Sequence, residues 1–159
     1  MLWLAIHFPN LALEVFTSPQ RKIQNPCPSV VIYRNKIVAT NSAAAKAGVL
    51  LNTSLVTAKS ITNELHYFKK DLSKEIKELA NLSEPLHQFS SMISIAESDC
   101  LLIEVGKSLK LFTTEELLVK INHLYLELGY TTQIRFSQSI LEAIIFATTG
   151  AEHIQEADL

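Results

Sequence analysis

Glu97, Asp99 and Glu104 form the one acidic set in the chain at a spacing that suits a divalent metal. Magnesium takes hard oxygen ligands in a near-octahedral array, and two-metal phosphoryl transfer needs several carboxylates converging from adjacent strands. The first strand supplies none, because residues 1 to 13 hold no acid, and Asp99 stands where a turn favours Asp. The set therefore reads as a turn and a solvated strand end, and any residual metal site would rest on Glu97 and Glu104. His7 closes the first apolar run with no Asp, Ser or Cys at a spacing that would build a triad, so it is expected to be a hydrogen-bonded structural residue. His66, His87, His123 and His153 stand singly and receive no role. Cys27 and Cys100 lie far apart without a CxxC, which indicates neither zinc nor a disulfide framework. There is no P-loop, G-x-G-x-x-G or H-E-x-x-H, and 4 glycines cannot build the usual phosphate cradle.

These residues need a frame, and 159 residues with 48% apolar content suffice for one domain with a small inserted lobe. The net charge of -2 does not announce a nucleic-acid binder, but its distribution is uneven. Residues 10 to 64 carry Arg21, Lys22, Arg34, Lys36, Lys46 and Lys59 against Glu14 and Glu64, a balance of +4, which leaves -6 elsewhere. That segment is the expected lobe. The apolar start lacks the charged flank and cleavage site of a signal peptide, and no run reaches the roughly 18 to 20 residues of a membrane span. A soluble, cytoplasmic, reducing setting is expected, with no membrane partner.

Leu2 to Phe8 reads as a central strand, apolar on both faces apart from His7. In the lobe, Ser29 to Tyr33 and Lys36 to Thr40 form a hairpin closed by Arg34 and Asn35, followed by helices over Ser42 to Ala47 and Ser54 to Ile61. Asp71 can cap a helix whose inward stripe is Leu72, Ile76, Leu79 and Leu86, with Lys74, Glu75, Lys77 and Glu78 outward. Ser91 to Ala96 and Cys100 to Val105 make a second hairpin. Leu109, Leu111 and Phe112 are expected in the core. Thr113 and Glu116 form a capping box before the stripe Leu117, Leu118, Ile121, Leu124, Tyr125 and Leu128. Thr131 to Phe136 is a strand, and Ser139 with Glu142 repeats the capping-box spacing before a last helix. The order predicts an α+β fold: a ferredoxin-like βαββαβ domain (residues 1–9 and 65–159) with helices on one face of its sheet and a lobe at 10–64.

Three segments go further: LWLAIHFPNLALE at 2 to 14, IVATNSAAAKAGV at 37 to 49 and LLIEVGKSLKLF at 101 to 112. In this order they resemble the amino-terminal half of Y-family (UmuC/DinB-related) translesion DNA polymerases, most closely the ImuB-type branch with its HFP signature. The resemblance implies that the ferredoxin-like frame is the palm and the basic lobe the fingers. It also implies where catalysis would sit. The H-V-D-x-D stretch that supplies a first-strand metal ligand corresponds to Ala5, Ile6, His7 and Phe8, and the loss is assigned to Ile6. The S-x-D-E motif corresponds to Ser94, Ile95, Ala96 and Glu97, the triphosphate-holding Y-x-A-R to Ser42 and Ala45, and a later N-K lysine to Ile140.

Nucleotidyl transfer is almost wholly charge positioning, and Ile6, Ala96, Ser42, Ala45 and Ile140 leave little to position it. The resemblance thus implies a pseudoenzyme without cofactor, acting in SOS mutagenesis alongside an ImuA-like recombinase-related protein, an error-prone replicative-type polymerase and the sliding clamp. Related proteins continue into a thumb and a little finger, so a fragment or domain is expected here. Weak DNA contact is expected through Arg34, Lys46 and Lys59. Two other readings stand beside this one. The first is a nucleotidyltransferase using magnesium on Glu97 and Glu104; the second is a stand-alone ferredoxin-like binding module.

Overall fold

The computed structural model describes residues 1–17 and 27–150; Arg21, Lys22 and His153 lie outside the described residues. The chain divides into two compact units, one made of Met1–Pro9, Ile76–Glu127 and the residues from Thr131 onward, the other of Asn10–Glu75 with Leu128–Tyr130.

In the first unit, β1 (Trp3–His7) lies at the middle of a four-stranded antiparallel sheet. Its neighbours are β6 (Cys100–Glu104) and β7 (Gln133–Ser137), and β5 (Ile93–Glu97) pairs with β6 at the edge, giving the order β5-β6-β1-β7. Both faces of β1 are buried because both are covered. On one face Phe8 meets Tyr125 of α5 (Thr114–Leu128) edge-on, with ring centroids 5.1 Å apart. The Tyr125 hydroxyl donates to the Leu82 carbonyl at 2.6 Å, which ties α5 to the end of α4 (Leu72–Ser83). On the other face Ala143 and Ala147 of α6 (Ile140–Thr149) pack on Ala5, Cys100 and Leu102, with Trp3, Ala96 and Ile144 around them. Small residues at i and i+4 bring α6 close to the strands. The helices therefore cover both faces of the sheet, not one as expected, since the final helix returns to the side that α4 and α5 leave open.

The capping box at α5 forms as expected: the Thr113 amide donates to Glu116 at 2.9 Å, and the Glu116 amide to the Thr113 hydroxyl at 3.2 Å. At α6 it does not. Ser139 holds the N-cap position without a side-chain bond, and Ser137, nearly buried at the end of β7, takes its place. The Ser137 hydroxyl donates to Glu142 at 2.8 Å and accepts from the Ser139 amide. Leu109 and Leu111 are exposed rather than in the core, because a short 3₁₀ turn, Ser108–Lys110, which Leu111 caps, presents them outward. Leu118 and Leu128 are also exposed; the buried positions of α5 are Leu117, Ile121 and Tyr125.

The second unit starts with α1 (Leu11–Thr17), an element absent from the sequence reading. Its hairpin, β2 (Ser29–Tyr33) and β3 (Lys36–Thr40), is the expected one. Arg34 and Asn35 both take positive φ, 50° and 61°, the backbone of a primed turn that matches strand twist. Asn41 caps α2 (Ser42–Lys46): its side-chain oxygen accepts from Ala44 at 2.9 Å and Ser29 at 3.0 Å, and its amide donates to Cys27 at 2.8 Å. Ser54 caps α3 (Leu55–Ile61), and Ala44, Ala58, Val30, Ile37 and Val49 close the small core.

The lobe runs past its expected end at 64. Strand β4 (His66–Lys69) pairs parallel to β2, giving the order β3-β2-β4 and carrying the unit to Glu75. The stripe expected on α4 is corrected as well. Leu72 and Ile76 are about half exposed, whereas Glu75 is buried with both carboxylate oxygens held by Lys70 at 3.1 and 3.2 Å. Among the described residues no helix is long and apolar enough to cross a membrane.

Candidate functional site

Strand alternation decides which residue of β1 faces the hairpin acids. Ala5 packs against α6 and Phe8 against α5, so Trp3, Ala5 and His7 face α6 while Leu4 and Ile6 face α5. Ile6 is wholly buried in the α5-side core. His7 therefore faces the α6 side and Ile6 the opposite core, because the period of two sends adjacent side chains to opposite faces.

His7 lies in a cross-strand row, pairing with Cys100 of β6 and Gln133 of β7, while Cys100 pairs with Glu97 of β5. Ala96 is the extra residue of a bulge between Ile95 and Glu97, partly buried against the α6-side cluster. From the turn beyond, Asp99 brings its Oδ2 to 3.0 Å from His7 Nε2, and its carbonyl accepts from the Phe8 amide at 2.9 Å. The hydrogen bond to Asp99 is the chief reason the His7 imidazole is held above its usual pKa. Burial opposes this, while the Asp99 charge, Gln133 and the Ala147 carbonyl assist. His7 Nδ1 is buried with no partner in hydrogen-bond geometry, though Gln133 and Ala147 lie near enough to favour a protonated ring. Cys100 is no nucleophile: burial, helped by the Asp99 and Glu97 charges, pushes its thiol up to about 12.

This row does not fit a magnesium pair. His7 offers an imidazole already committed to Asp99, Ala96 offers no donor, and Glu97 is left alone on the exposed edge strand. Glu104 cannot join it. Glu97 is in register with Cys100, and Glu104 lies four residues further along β6, about 13 Å away at the usual strand rise. Among the described residues no three His, Cys, Asp or Glu side chains come together to hold a metal.

The other predicted positions are apolar or small. Ile140 opens α6 and is partly exposed; Ser42 and Ala45 lie three apart on the exposed side of α2, beside Lys46. Arg34 lies 5.2 Å from the Tyr33 ring centroid and Lys59 4.6 Å from that of Tyr67, and both tyrosines are about half exposed. Neither aromatic partner was found from sequence, since Tyr67 reaches Lys59 only through the unexpected strand β4. The His7–Asp99 pair was missed too: its members are 92 residues apart, and a search for local triad spacing cannot see them.

Among solved structures, the chain is similar in fold to a post-insertion binary complex of Dbh DNA polymerase, with TM-score 0.75, 19% identity, and 94% of this chain and 46% of that one covered. It is similar to a Dbh ternary complex with TM-score 0.73, 19% identity and 96% and 46% coverage, and to DinB from Sulfolobus solfataricus with TM-score 0.67, 20% identity and 94% and 46% coverage. The chain thus spans just under half the length of these polymerases. No curated protein matches it. Residues 15–148 match the impB/mucB/samB family, abbreviated IMS. With a ferredoxin-like palm, an inserted fingers-like lobe and this match over most of its length, the chain belongs to the impB/mucB/samB family of Y-family polymerase-like proteins.

Proposed function

We propose that this chain is a catalytically inactive palm and fingers unit of the ImuB-type branch, acting as a scaffold in bacterial DNA repair and mutagenic translesion synthesis. The observation that carries the proposal is the His7–Asp99 pair. Next to Ile6, where the resemblance places the lost metal-binding Asp, the strand presents in His7 an imidazole held by a carboxylate, so local charge is balanced within the protein itself. Two-metal phosphoryl transfer needs uncompensated carboxylates converging on cations, and a compensated pair removes that field. With Ala96 alongside, and Ser42 and Ala45 in place of triphosphate-binding side chains, positioning of the reacting phosphates is lost at several points together.

In this reading the fold is kept for its surfaces. DNA is held weakly and with strong salt dependence through Arg34, Lys46 and Lys59, the cations of a lobe with a balance of +4. An ImuA-like recombinase-related protein, an error-prone replicative-type polymerase and the sliding clamp are the protein partners, in the cytoplasm. The test is calorimetric titration of the chain with magnesium and a deoxynucleoside triphosphate, paired with primer extension. The expected result is no saturable heat and no extension. Incorporation that disappears in Glu97→Ala would overturn the proposal.

A further inference from the structure

At the end of the β5–β6 hairpin away from His7, a solvent-open recess of about 290 Å³ is walled by His87, Phe89, Met92, Glu104, Lys107 and Leu111. Two short turns form its sides and are fixed to each other, because the Ser108 hydroxyl donates to the Phe89 carbonyl. Glu104 is only 8% exposed. One of its oxygens accepts from the Gly106 amide at 2.7 Å, and a side chain at residue 106 would collide with it, since a Cβ there would lie 2.6 Å from that oxygen. No cation lies within ion-pair distance of Glu104 among the described residues, and Lys107 on the rim has no acidic partner there either. The carboxylate lines the recess with no cation beside it, so a cationic group entering there would meet an unpaired charge. Met92 and Leu111, 48% and 80% exposed, border it with apolar surface that no other element covers.

We infer that this recess is a docking pocket for an arginine side chain presented by a partner protein. A guanidinium has the planar donor fork to take the free face of the Glu104 carboxylate, and its aliphatic stem suits Phe89, Met92 and Leu111. Lys107 and His87 at the exposed rim are screened by water far more than Glu104, so they select for an acidic or neutral neighbour beside the arginine rather than a second cation. The inference goes beyond the scaffold reading and does not depend on it, for the pocket is built from residues that take no part in the His7 row.

The experiment titrates the full chain with acetyl-arginine amide, followed by amide chemical shifts. Saturable shifts at Phe89, Met92, Glu104 and Lys107 are expected. Glu104→Gln keeps an acceptor for the Gly106 amide but removes the charge, and should weaken binding by about tenfold or more. Exposed Lys107→Glu, which leaves the fold untouched, should tighten it, and keeps the test decisive if the Glu104 variant fails to fold. The inference is overturned if no residue of the recess shifts, if acetyl-leucine amide binds equally well, or if Lys107→Glu leaves affinity unchanged. It is also overturned if inorganic phosphate shifts the recess and the arginine probe does not, which would make this a nucleic-acid contact.

Discussion

Replacing Asp99 by Asn keeps the shape and the acceptor that faces His7 but removes the charge. A hydrogen bond to a charged partner contributes about 1.5 to 3 kcal/mol and a neutral one about 0.5 to 1.5, so the substitution forfeits roughly 1 to 1.5. The Asp99 side chain is 37% exposed against 11% for His7, and water screens part of the pair, which brings the expected loss to about 1 kcal/mol. For a domain of this size that is about 2 to 4 °C in Tm. The sign with pH follows from the raised pKa of His7 in the folded state. Its contribution is complete below the unfolded histidine value of about 6.5 and fades as pH climbs through the higher folded value. Around His7 the relevant groups are Asp99, Glu97, Cys100, Gln133 and the Ala147 carbonyl. Thermal melts of both proteins from about pH 6 to about pH 9 should show a gap that is widest at the acidic end and narrows toward a small neutral residue. A gap that stays constant, or widens as pH rises, would refute a charged His7–Asp99 pair and the reasoning built on it.

Placing carboxylates in the row tests the proposed inactivity directly: His7→Asp with Ala96→Asp, beside Glu97, should make Tm rise with magnesium at constant ionic strength, while the parent shows no such response. Tyr125→Phe keeps the edge contact with Phe8 but leaves the buried Leu82 carbonyl unpaired, and should cost about 1 to 3 kcal/mol in urea denaturation with an unchanged m-value. Lys46→Glu with Lys59→Glu should weaken DNA binding in fluorescence anisotropy and lower the slope of log affinity against log salt by about 1.4 to 1.8, as for two lost phosphate contacts. A thiol reagent should modify exposed Cys27 in the native protein and reach buried Cys100 only after unfolding.

Elements with local signals were legible in the sequence. The Thr113–Glu116 box and the Arg34–Asn35 turn each involve residues a few positions apart, where side-chain chemistry and backbone geometry decide the outcome together. Elements stabilised from a distance were not. Strand β4 has no strong pattern of its own, for His66, Tyr67 and Lys69 are exposed, and it exists because β2 offers a parallel edge. Glu75 belonged by periodicity to the outer face of α4, yet it is buried because Lys70, two residues before the helix, folds back to neutralise it. Helical period predicts which face a residue takes, but a paired charge can reverse the preference for solvent.

The same division explains the candidate site. The absence of acid from residues 1 to 13 was plain; which residue of β1 faces the hairpin turn was not, because that depended on which face of β1 met α6. Once Ala5 is fixed under Ala143 and Ala147, His7 must point to the side where the hairpin turn brings Asp99, and Ile6 must enter the opposite core. A buried polar group without a partner is costly. Here His7 and Asp99 are partners to each other, so the contact joins β1 to the turn of the β5–β6 hairpin. The pair ties the stability of the sheet to the protonation of one histidine.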